Sequence, residues 1–138
     1  MTDHAKSNAA AWLETINAAI GGYYALANGE TESTMLDGET FDDADDVRQR
    51  IEEMPLSVQV RGPWHTPGDD QGLDDAEYEI LLSTGGPALR IRGELDRGSP
   101  TSARLQFQDW GTPWTYYPLS NGDAENLIAF ASMFYFGE

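Results

Sequence analysis

Cysteine is absent from this 138-residue chain, which excludes disulfides, thiolate nucleophiles and cysteine-ligated metal sites together. Lysine is almost absent: eight basic residues, Lys6 and seven arginines, face 24 aspartates and glutamates, for a formal charge of -16. Such a field repels nucleic acid and anionic membrane headgroups and attracts basic surfaces. Histidine is equally scarce. His4 falls in a frayed terminus, and neither it nor His65 sits in a spacing used by metal sites. Long apolar runs are missing too, with no window near the roughly 20 apolar residues of a membrane helix. The opening MTDHAKSNAAAWLETINAAIGG lacks the basic region and apolar run of a signal peptide. The expectation is a soluble, cytoplasmic protein with no membrane partner.

Catalytic signatures are also wanting. There is no phosphate-binding glycine loop, nucleophile elbow or dinucleotide fingerprint. Residues 69–79 are acidic but lack the glycine position and ligand rhythm of a calcium-binding EF-hand loop. No enzyme, cofactor or metal site is expected.

The charge that is present is concentrated. Residues 30–53 hold ten acids, among them Glu30, Glu32, Asp37, Glu39, Asp42, Asp43, Asp45 and Asp46, against Arg48 and Arg50. Asp69, Asp70, Asp74 and Asp75, with Glu77 and Glu79, form a second acidic run free of basic residues. Adaptation to a high-salt cytoplasm is a rival account of the acidity. Clustering argues against it, since the last 28 residues carry only Asp123, Glu125 and Glu138 as acids.

Hydrophobic residues make up 40% of the chain, with four Trp, six Tyr and five Phe, so it is not a disordered acidic tail. One domain spanning 1–138 is the expectation. Residues 7–28 read as a helix capped by Ser7 or Asn8, with Trp12, Leu13, Ile16, Ile20, Tyr23 and Tyr24 at three- and four-residue steps. Gly21-Gly22 is its weak point. A loop is expected over 30–41. A short acidic helix runs from Asp42 or Asp43 to Glu53, with Phe41, Val47, Ile51 and Met54 as a thin apolar edge and Pro55 as its stop. Four strands follow, in which Leu56/Val58/Val60, Tyr78/Ile80/Leu82, Leu89/Ile91/Leu95 and Ala103/Leu105/Phe107 alternate with polar residues. A final helix starts at Ser120 or Asn121. The predicted fold is a two-layer α+β domain: a four-stranded, mainly antiparallel sheet, wet on one face, with the N- and C-terminal helices on the other and the acidic helix exposed.

The strand phase places Arg61, Arg90, Arg92 and Arg104 on the polar face together with Glu77, Glu79 and Glu94. Either these side chains pair across strands, or they make a second, arginine-rich contact surface. Trp64, in the loop Gly62-Pro63-Trp64-His65-Thr66-Pro67-Gly68, is either an anchor or an exposed hot spot. The aromatic stretch 108–118 either packs over the core or recognises a sugar or peptide.

The runs MPLSVQVRGPWHTPG, EYEILLSTGGPALRIRGELD, QDWGTPWTYY and FYFGE, which span about the last 85 residues, resemble small proteins carried on bacterial mobile elements and prophages. Some small acidic proteins from that setting are anti-CRISPR or antirestriction inhibitors acting as DNA mimics. The resemblance therefore implies an inhibitor that binds a basic, nucleic-acid-binding host protein without binding nucleic acid itself. It supplies no binding motif to carry over. Carboxylates in 30–53 and 69–79 would imitate phosphates, which B-DNA presents at about one charge per 1.7 Å of axis. A mobile-element adaptor domain using the arginine face is the alternative, and a small ligand-binding protein or an enzyme using the aromatic loops is the third. Both a monomer and a homodimer fit the composition.

Overall fold

The computed structural model describes residues 4–29, 33–34, 40–62, 66–68, 76–84, 88–109 and 113–134. Its first element is the helix α1 (His4–Ala27). Ala9, Leu13, Ile16, Ala19 and Ile20 recur at three- and four-residue intervals and are buried, so one stripe of the helix faces the core. Alanines at 9 and 19 let the backbone approach its neighbours closely. Each buried Ile or Leu contributes about 1.5–3 kcal/mol of transfer free energy. The helix runs unbroken through the glycine pair, and it begins at His4, so Ser7 and Asn8 lie inside it rather than capping it.

A two-stranded ribbon, β1 (Ser33–Thr34) with β2 (Thr40–Phe41), stands within the stretch expected to be a loop. The short helix α2 (Ala44–Glu52) follows, with Asp43 as its N-cap. Val47 and Ile51, one turn apart, are fully buried and fix it to the core.

The main sheet corrects the expected four strands to six. It contains β3 (Ser57–Arg61), β4 (Glu77–Ser83), β5 (Ala88–Asp96), β6 (Ser99–Pro100), β7 (Arg104–Gln108) and β8 (Thr115–Tyr116). The order is β3-β4-β5-β7-β8, with β6 paired to β5 and every pairing antiparallel. The additional strands β6 and β8 have two residues each, too short to show an alternation of period two. A bulge shifts the β4–β5 register between Leu81 and Ser83. The β5–β6 hairpin turns on Arg97 (φ 54°) and Gly98 (φ 80°), two left-handed residues as a two-residue type I′ turn requires.

The last helix is α3 (Asn121–Ala131). Ser120 accepts a hydrogen bond from the Asp123 amide, and the Asp123 carboxylate accepts one from the Ser120 amide, forming a reciprocal capping box. α1 is the hub of the helical layer: it lies against β5 and β7 and packs on both α2 and α3. Leu127 and Phe130 of α3 join Ile80, Leu89, Ile91 and Leu105 of the sheet in one buried cluster. Polar side chains also tie the elements together. The Asn17 amide donates to Asp123 at 3.2 Å, Asn126 donates to Asn17 at 2.8 Å, and Asn8 donates to Ser83 at 3.1 Å.

Candidate protein-binding surface

The sheet turns one phase of its side chains toward the helices and the other outward. Register aligns the outward residues in three cross-strand rows: Arg61, Glu77 and Glu94; Gln59, Glu79, Arg92 and Arg104; and Ser57, Leu81, Arg90, Gln106 and Tyr116. The four arginines singled out in the sequence therefore do share a face. They are engaged there by carboxylates. Arg61 pairs with Glu77, Arg92 with Glu79 at 2.8 Å, Arg90 with the same Glu79 at 3.5 Å, and Arg104 with Glu94 at 3.2 Å. The Ser102 hydroxyl donates to Glu94 as well. That bond, followed by the bond from Arg104, holds the Glu94 carboxyl below its ordinary pKa.

Part of this face is covered, which corrects the expectation of a wholly wet surface. The Trp114 ring lies over the Arg90 guanidinium at 3.8 Å, and Arg90 Nε donates to Gln106 Oε1 at 2.8 Å. The Arg90 side chain is only 14% exposed, and Gln106 is buried. Desolvation, followed by the charge of Arg92, lowers the pKa of Arg90. Tyr117 meets Phe107 edge to face at 6.5 Å, while Tyr116 remains exposed. Sequence alone gave no signal for the stacking of Trp114 on Arg90, because the two are 24 positions apart and meet only through β7 and β8.

The N-terminus of α2 has a different character. Asp43 spends its carboxylate on the cap, accepting from the Asp45 amide at 3.0 Å. Asp42, Asp45 and Asp46 are exposed, and among the described residues none of the three is in an ion pair. Arg48 instead pairs with Glu52 one turn along, at 3.4 Å. The helix dipole stabilises these acids without neutralising them. Asp45 and Asp46 are successive residues of α2, whose backbone rises by about 1.5 Å per residue, and Asp42 precedes the helix. Glu30, Glu32, Asp37, Glu39, Trp64, Asp69, Asp70, Asp74 and Asp75 lie outside the described residues.

Concavities are shallow. A recess of about 100 Å³ opens on the outer sheet face among Arg61, Glu77, Glu79 and Arg92. A broader, open groove of about 510 Å³ on the helical side is lined by Tyr23, Tyr24, Arg48, Ile128 and Met133, among others. Among the described residues no group of three or more His, Asp or Glu is arranged to hold a metal, and no helix is long and apolar enough to cross a membrane.

No protein-family model, curated protein or solved structure matches the chain.

Proposed function

We propose that the chain is a non-enzymatic inhibitor whose acidic surface occupies the basic nucleic-acid site of a host defence complex, of the CRISPR or restriction kind, by imitating a polyanion. The supporting observation is the division of charge. The sheet carboxylates Glu77, Glu79 and Glu94 are matched to arginines, whereas among the described residues Asp42, Asp45 and Asp46 at the start of α2 are not. Anchoring by Val47 and Ile51 holds Asp45 and Asp46 on a helix fixed to the core, which favours recognition over diffuse solvation. Such an inhibitor would act in the cytoplasm, where its target meets DNA, and would bind no nucleic acid itself. The adaptor reading, which needs available guanidinia at Arg61, Arg90, Arg92 and Arg104, has less support because those groups are already engaged.

The test is capture of a basic target from host lysate, followed by displacement with DNA. Binding weakens as salt rises, because the contact is between opposite charges. A triple variant Asp42→Asn, Asp45→Asn and Asp46→Asn, which leaves the Asp43 cap intact, loses at least about tenfold in affinity. Full affinity and full inhibition in that folded variant would remove this surface from the proposal.

A further inference from the structure

We propose that β3 is a self-recognition edge, at which two copies of the chain pair antiparallel and join their sheets. β3 ends the main sheet, and among the described residues its only strand partner is β4. Gln59, Arg61 and Gly62 are exposed along it, and so is Val60 on the core side, where the hub helix lies over β5 and β7 instead. Leu56, 59% exposed, and Val60, 39% exposed, put apolar surface at this boundary. The strand has no internal proline, lysine or bulge, the devices that usually blunt an open edge. The opposite edge is shorter: β8 has two residues against the five of β3.

The occupant follows from charge and register. Residues 56–62 (LSVQVRG) contain no acid in a chain that carries 24, so this edge meets a second polyanionic copy with little local repulsion. Antiparallel pairing centred on Gln59 sets Val58 of each copy against Val60 of the other, on the core-side face. It sets Ser57 against Arg61, so no two like charges face each other directly. Arg61 already has Glu77 as its counter-ion within its own copy. The seam is thus apolar on one side and neutral on the other, which suits a second copy better than a basic peptide.

Sedimentation equilibrium of the full chain over a wide concentration range reads this directly. The mass rises from 15.2 kDa toward twice that value. The association strengthens with added salt, since screening relieves repulsion between the two highly charged copies. Hydrogen exchange at residues 57–61 slows as protein concentration increases. Val60→Lys weakens self-association by at least about tenfold while leaving the far-ultraviolet circular dichroism unchanged. A chain that stays monomeric at every concentration and salt overturns the proposal and leaves the edge to an extended segment of another protein. A dimer indifferent to Val60→Lys, with unchanged exchange at 57–61, overturns it in favour of a contact elsewhere. The opposite salt dependence separates this association from binding to a basic target.

Discussion

The phenol ring of Tyr78 on β4 occupies the space beside Gly93, its register partner on β5, and its hydroxyl donates to the Ser102 carbonyl at 2.6 Å. A Cβ at position 93 would sit 2.7 Å from the Tyr78 ring and collide with the Ser102 carbonyl oxygen. Gly93→Ala therefore forces the ring or the backbone to shift. It is expected to destabilise the protein by about 2–3 kcal/mol, read as a lower urea midpoint with an unchanged slope.

Tyr78→Phe tests the other half of the contact. Removing the hydroxyl leaves the Ser102 carbonyl without that donor, at a cost of about 1 kcal/mol. Burial raises the Tyr78 pKa above the ordinary 10.0, with Arg104 lowering it and Glu94 raising it to smaller extents. Because the folded pKa is raised, the neutral phenol contributes its stability in full below pH 10.0 and loses it as pH climbs beyond. Tyr78→Phe should flatten that alkaline fall in a series of denaturation curves.

Asp123 provides the matching acid-side prediction. Its carboxylate accepts from the Ser120 amide and from Asn17, and the bond to Ser120 is the largest cause of its lowered pKa. A depressed pKa stabilises the fold above the ordinary value of 3.8, and this contribution fades as pH falls through the folded value. Asp123→Ala should cost about 1 kcal/mol at neutral pH. It should also make the acid limb of the stability profile shallower than in the parent.

Arg97 holds a left-handed backbone, φ 54°, at the first central position of the β5–β6 turn. Asparagine adopts this conformation more readily than arginine, and Asn-Gly is the preferred pair for such a turn. Arg97→Asn is expected to stabilise by about 0.5–1 kcal/mol, measured as a rise in the thermal midpoint. No change, or a fall, would show that the arginine side chain makes a compensating contact.

The elements most legible in the sequence were those with a long period. Leu13, Ile16 and Ile20 in α1 and Tyr78, Ile80 and Leu82 in β4 fall at helical and strand intervals, and all are buried. Local punctuation was legible in part: Ser120 caps α3 as one of the two residues expected there, whereas Ser7 and Asn8, the expected caps of α1, lie inside that helix. Two-residue strands were not, because a pairing such as Phe107 with Thr115 depends on the chain folding back rather than on any repeating pattern. The arginine face was legible from strand phase. Pairing across strands is one of the two readings the strand phase offers; which glutamate meets which arginine requires the register, which sets Arg92 opposite Glu79. Gly93 gave no warning of its importance, since its need for space arises from Tyr78, 15 positions earlier. The Asp123–Asn17–Asn126 link was equally hidden, joining residues more than 100 positions apart in the chain.

Among the described residues, charge is divided unevenly between the two layers. Arg61, Arg92 and Arg104 are satisfied by glutamates on the sheet's outer face, whereas Asp42, Asp45 and Asp46 on the helical side meet no described cation. A nearby cation exerts a torque on such a body as well as a pull. The protein would tumble into alignment before any surfaces touch, so its first collision with a positively charged neighbour would already favour the α2 side.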